Sequence, residues 1–312
     1  MPSWSSVLEE INQVKTGIAS ASALDIVRRK YLDSLHQHTG RNIIAYYSAW
    51  LQRGPNTPNL SINDTDKNAF MATIHGMDRT LGLDLILHTP GGSIAAAESL
   101  VDYLRRMFGS NIRAIVPQIA MSAGTMMACA CSEIVLGKQS NLGPIDPQMN
   151  GMPANGVLRE FEQAAKDVKS DPSRIAIWQP IIGKYHPSFL QECVNAIDWS
   201  KTVVRDWLIT GMFSGEASAT TKARRVVREL SDYKGMKTHG RHVHIDQCKR
   251  IGLKVIDLEA DPVLQDLVLT VHHAFMQTLS EAGPVTKIVE NQSGIALVAN
   301  HAAPPSHLRA GV

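Results

Sequence analysis

Residues 83–148 read LDLILHTPGGSIAAAESLVDYLRRMFGSNIRAIVPQIAMSAGTMMACACSEIVLGKQSNLGPIDPQ. Two strand-turn-helix units lie in this stretch. In the first, the apolar run Leu83 to Leu87 meets the breaker cluster Thr89, Pro90, Gly91 and Gly92, and a helical pattern starts at Ser93. In the second, the β-rich run Ile112 to Pro117 leads through Met121, Ser122, Ala123 and Gly124 into a helix of small residues reaching about Cys131. Parallel strands joined by right-handed crossovers bring their C-terminal ends to one edge of a sheet, where α/β proteins bind ligands. The Gly-Gly turn and Ser122 are therefore expected side by side. A serine attacking an acyl carbon needs amide donors aimed at the oxyanion, and Gly91, Gly92 and Ala123 are the candidates to supply them. Singly, each turn has an ordinary reading, a tight turn or an N-cap serine. Their pairing in adjacent units points to chemistry.

The order TPGGS, crossover helix, strand, MSAGT resembles the ClpP-like superfamily of serine peptidases, with signal peptide peptidase A as the closer branch. LHTPGG, MSAGT, SNLGPIDPQ, WQPIIGKY and THGRHV followed by GLKV resemble most the cytoplasmic relatives called serine dehydrogenase proteinases, over roughly Asn42 to Leu258. The resemblance implies Ser122 as nucleophile and Gly92 with Ala123 as oxyanion hole. It also implies an α/β fold of the ClpP/crotonase type, with repeated ββα units on a parallel sheet and helical extensions at both ends. No GxGxxG fingerprint is present, so the family label does not imply dehydrogenase activity here.

With 312 residues, 44% hydrophobic and 19% charged, the chain has enough material for one large α/β domain with appended helices. A net charge of +2 and a sequence pI of about 8.3 argue against a nucleic-acid or anionic-membrane surface. Cys129, Cys131, Cys193 and Cys248 form no CxxC pair and no disulfide framework. Glu9, Glu10, Lys15 and Asp25 interrupt the N-terminal apolar residues, so no signal peptide is expected, and no run is long enough for a membrane span. The expectation is a soluble, cytoplasmic protein. No Walker A motif occurs, so any ATP-driven unfolding would come from a separate partner.

The organisation expected is an N-terminal helical arm over 1–40, a peptidase domain over 41–260, and a C-terminal helix and hairpin tail over 261–312. Within the domain, Asn42 to Trp50 reads as a strand, Asp64 as the cap of a helix over about 65–80, and 156–169, 187–212 and 217–231 as further helices. Ile175 to Ile182 reads as a short helix at the rim of the site. The last dozen residues read as mobile. His239, His242 and His244 lie close together in KTHGRHVH, but their spacing fits no established metal-ligand pattern, so neither metal nor cofactor is expected.

A serine hydroxyl needs an adjacent base. In the Clp proteolytic subunit a histidine about 25 residues after the serine serves, inside a motif like Ile-His-Gln-Pro. The matching residues here are Ile145, Asp146, Pro147 and Gln148, and no histidine occurs between His88 and His186, which disfavours a Ser, His, Asp triad. Signal peptide peptidase A instead uses a lysine just before a long helix, which this resemblance carries to Lys184. Apolar neighbours Ile181, Ile182 and Tyr185 favour Lys184, since burial is what lowers a lysine enough to act as base. Lys166 and Lys169, in a charged helix, are its rivals, and His186 or His239 remain open. Asp146 is expected to cap a turn or orient the lysine.

The function expected is a serine endopeptidase of the Ser/Lys dyad type, cleaving peptides or unfolded segments through an acyl-enzyme on Ser122. The resemblance further implies a closed homo-oligomer. Two alternatives stand: a crotonase-type acyl-thioester enzyme, whose fold also pairs amides as an oxyanion hole, and a scaffold that keeps the fold without the chemistry.

Overall fold

The computed structural model describes residues 4–17, 20–54, 56–149, 151–281 and 283–300. The terminal dozen expected to be mobile lie outside the described residues. The main sheet has seven strands: β1 (Asn42–Ser48), β2 (Leu83–His88), β3 (Ile112–Val116), β4 (Glu133–Leu136), β5 (Val255–Asp257), β6 (Val285–Asn291) and β7 (Ala296–Asn300), in the spatial order 5-4-3-2-1-6-7. β1 to β5 run parallel, and β6 and β7 close the other side antiparallel. The hairpin expected as a C-terminal tail is thus part of the same sheet, because β6 pairs along β1 from Ser48 to Ile44.

The helices are α1 (Trp4–Lys15), α2 (Ser20–Thr39), α3 (Asp66–Ile74), α4 (Ile94–Phe108), α5 (Ala123–Cys129), α6 (Ala154–Ser170), α7 (Ile175–Ile182), α8 (Phe189–Thr210), α9 (Ala219–Leu230), α10 (Tyr233–Met236), α11 (Ile245–Ile251) and α12 (Pro262–Glu281). The helix expected over 65–80 stops at Ile74, where Gly76 turns the chain with φ +78°. Asp64 does not cap it. The residue next to the cap, Asp66, is buried instead.

Every residue of β1 and β2 is buried, as expected of parallel strands covered on both faces. Alternation divides them. Ile44, Tyr46, Leu83, Leu85 and Leu87 enter a core shared with α3, α4, α5, α8 and α9, while Ile43, Ala45, Tyr47 and Ile86 enter one shared with α2 and α12. Asp84 interrupts the apolar run of β2 and is fully buried, where a lone carboxylate would be costly. Arg113 donates to both its oxygens, at 3.0 and 2.6 Å, and Arg41 to one at 2.6 Å.

His88, the last residue of β2, is buried beside Tyr47, Trp50 and His272, and neither of its ring nitrogens has a hydrogen-bond partner among the described residues. Burial holds its pKa down at about 3 from an ordinary 6.5. The same cause pushes His272 well below that value, helped by His88 and His273 beside it.

Candidate active site

The turns after β2 and β3 meet, as parallel topology requires. Thr89 and Ala120 form a parallel bridge, with Thr89 N–H donating to Ile119 O at 3.2 Å and Met121 N–H to Thr89 O at 3.0 Å. Ser122 follows, at the entrance of α5, with φ +52° and ψ −120°. A non-glycine residue there is strained, and the strain lifts its side chain out of a sharp strand-to-helix turn. Its hydroxyl caps nothing. The N-cap reading of this serine is therefore not what the structure has.

Both glycines of the preceding turn are required by close approach. A Cβ on Gly91 would stand 2.6 Å from Met121 O and from Ser122 Cβ, and one on Gly92 would stand 2.4 Å from the Ile62 backbone. Of the three expected amide donors, Gly91 is occupied, donating to Thr89 Oγ1 at 3.1 Å. Those of Gly92 and Ala123 have no hydrogen-bond partner among the described residues. Two amides beside one strained serine are what an oxyanion hole requires.

Ser122 and Gly92 open into a cleft of about 750 Å³. One wall is the start of α4, with Ile94 and Ala95. The facing wall is α8, whose Glu192, Asn195, Ala196 and Trp199 share a face by helical spacing. Met126, Ile145, Pro147 and Met149 make the lining mainly apolar, and His239 completes it. Trp199 Nε1 donates across the cleft to Glu98 on α4 at 3.1 Å.

His239 comes from the loop after α10, and its Nδ1 lies 2.8 Å from Oδ1 of Asp146. Asp146 is 3% exposed, and its other oxygen accepts from Gln148 Nε2 at 3.2 Å. With Nδ1 taken up by the carboxylate, Nε2 is the ring nitrogen left over. That nitrogen has no partner among the described residues. Ser122 and His239 thus line one cleft, with Asp146 bonded to His239, whereas the sequence reading disfavoured a Ser, His, Asp triad.

Lys184 is not brought there. It is an exposed residue in the turn after α7 and is absent from the cleft lining. Lys166 and Lys169 are also exposed, on α6. The apolar neighbours that favoured Lys184 do not bury it, because no residue of α7 is itself buried. Of the other clustered histidines, His242 lines a separate cavity with His272 and His273, and His244 pairs with Asn141. The thiols are set aside as nucleophiles by burial, which pushes Cys131 and Cys248 up to about 12.

Residues 59–293 match the family described as ClpP-like SDH-type serine proteinase. Among curated proteins the chain is similar to two uncharacterized proteins of Methanocaldococcus jannaschii. One is 26% identical over 221 residues, 70% of this chain and 68% of its own length. The other is 27% identical over 190 residues, 61% of this chain and 57% of its own length.

Proposed function

Because the chain belongs to the ClpP-like SDH-type serine proteinase family, we propose that it hydrolyses peptides or unfolded protein segments in the cytoplasm through an acyl-enzyme on Ser122, with His239 as base and Asp146 holding it. One observation carries this reading: a strained serine and a carboxylate-bound imidazole open into the same cleft as Gly92, whose amide, like that of Ala123 next to the serine, has no partner among the described residues. Ser122 Oγ attacks the carbonyl carbon, and its proton passes to His239 Nε2. The oxyanion faces the amides of Gly92 and Ala123. On collapse the C–N bond breaks, and His239 returns the proton to the leaving amine. Water, deprotonated by the same imidazole, then releases the acyl group.

This reading replaces the Ser/Lys dyad expected from the sequence, since Lys184 lies exposed and outside the cleft lining. It also favours a peptidase over an acyl-thioester enzyme, which needs the paired amides but not the serine and imidazole. The test is mass spectrometry of protein treated with a fluorophosphonate. The label is expected on Ser122, and labelling elsewhere, or none, would sink the assignment.

We further propose that the protein works as a homo-oligomer. Support comes from α7, whose sequence IAIWQPII has no buried residue, with Ile175 and Ile177 54% and 63% exposed. Apolar helices left in water mark contact surfaces, and the occupant proposed is a second copy of this chain. Light scattering is expected to give a multiple of 34.1 kDa for the wild type, reduced by Ile177→Glu. A 34 kDa particle at micromolar concentration would refute it.

A further inference from the structure

A buried polar network behind the Gly-Gly turn has no part in the mechanism above. Its centre is Asp66, 4% exposed at the start of α3, and its cation is Lys287, 2% exposed on β6. Lys287 Nζ is bonded to Asp66 Oδ1, and it also donates to Ser61 O at 3.0 Å. The second oxygen of Asp66 accepts from Tyr46 OH at 2.9 Å and from Asn63 N–H at 3.0 Å.

Two arms run from this centre to the turn. In the first, Lys287 and Asp66 fix Ser61 and Asn63, the residues on either side of Ile62. Ile62 in turn grips the turn as a parallel bridge, its N–H donating to Gly91 O at 2.8 Å and its carbonyl accepting from Ser93 N–H at 3.0 Å. Such a bridge directs the amide of Gly92 to the opposite side, away from Ile62. In the second arm, the Tyr46 hydroxyl, which donates to Asp66, lies beside the Thr89 hydroxyl, which accepts the Gly91 amide. Gly91 N–H donates to Thr89 and Tyr46 O–H to Asp66, with the Thr89 and Tyr46 hydroxyls adjacent between them.

Resting on the serine-hydrolase reading, we propose that Asp66, Lys287, Tyr46 and Thr89 are positioning residues that aim the Gly92 amide at the oxyanion. The alternative is that the network serves stability alone. A buried ion pair is a poor device for that, since apolar residues of similar volume commonly do as well or better. What it supplies is two backbone anchors flanking Ile62 and one under Gly91, and a donor displaced by about 1 Å costs up to about 10²-fold in rate.

The test measures phosphonylation of the full chain by a fluorophosphonate, separating the maximal rate kinact from the half-saturating concentration KI. Thr89→Val keeps shape and removes the hydroxyl, and Tyr46→Phe keeps the ring stacked on Phe70. Each is expected to lower kinact by about 10- to 100-fold with KI within about twofold. Thr89→Ser, which keeps the hydroxyl, is expected to restore the rate, and the Tyr46→Phe, Thr89→Val pair to be no worse than either alone, since they lie in series. Folded variants with unchanged kinact, or a serine variant as slow as the valine one, would overturn the positioning role alone. If wild-type protein takes no label at Ser122, the hydrolase reading falls and the positioning role falls with it.

Discussion

Replacing His239 by alanine is expected to lower peptide hydrolysis by about 10⁴- to 10⁶-fold, and replacing Ser122 by alanine by about 10⁶-fold, with the double variant no slower than the single ones. The three numbers belong together. A nucleophile and its base act as one unit, so once either is gone the other has nothing left to contribute, and the residual rate comes from the amides and the cleft. Both variants are expected to fold, because Ser122 Oγ caps no helix and the one side-chain bond of His239 among the described residues is that of Nδ1 to Asp146. Lys184→Met is the control. Lys184 is exposed and outside the cleft, so turnover is expected within about twofold of wild type, the scale of an exposed site far from the chemistry. Peptide assays on the four proteins, with melting curves to confirm folding, decide the matter. Collapse in Lys184→Met with near-normal turnover in His239→Ala would return the base to the lysine.

The second large effect is on stability in mild acid. His88 stays neutral in the folded protein down to about pH 3, whereas the unfolded chain takes up a proton near 6.5. Above 6.5 neither state is protonated there and the residue contributes no pH dependence. Below it the unfolded state binds the extra proton, so stability falls with pH by about 1.4 kcal/mol per unit. At pH 5 this amounts to about 2 kcal/mol for His88. His272, lowered by the same burial, acts in the same direction, and the His88 contribution stands against a typical total of about 5–15 kcal/mol. The window from 6.5 to 5 is informative because carboxylates scarcely titrate there in an unfolded chain. Urea melts at pH 7 and 5 are expected to show His88→Leu losing about 2 kcal/mol less than wild type between the two conditions. Parallel losses would show that the cluster is not linked to protonation.

The two turns were legible in the sequence because their signals are local. Strand, breaker and helix follow one another within a few residues, and parallel topology then brings Thr89 to Gly92 beside Ser122. The pairing of Asp146 with His239 was not legible for the opposite reason. Asp146 and His239 are separated by 93 positions, and nothing at either end marks the other. Asp146 stands where the Clp proteolytic subunit has its histidine, which drew attention away from an arrangement in the chain order Ser122, Asp146, His239. THGRHVH drew attention as a metal cluster, although its three histidines face three different places. Lys184 illustrates a related limit. Apolar neighbours in sequence imply burial only if their helix packs inward, and α7 does not. The Asp66 network was missed because its members lie on β1, α3, the 61–63 segment and β6, each unremarkable alone.

The place of β6 in the sheet also bears on how the protein is made. Lys287 and Asp66, bonded in the folded protein, are 221 residues apart in the chain, and β6 covers the side of β1 that faces away from β2. A chain leaving the ribosome N-terminus first therefore has β1 to β5, Ser122 and His239 before it has the strand that closes β1. Until β6 docks, β1 is an open edge with unpaired backbone groups, the kind of surface that recruits other chains. Over the same interval the segment at 61–63 lacks its lysine anchor. A strand made late is thus the one that closes β1 and anchors the segment beside the turn, so the order of synthesis places that step after β1 to β5, Ser122 and His239 are made.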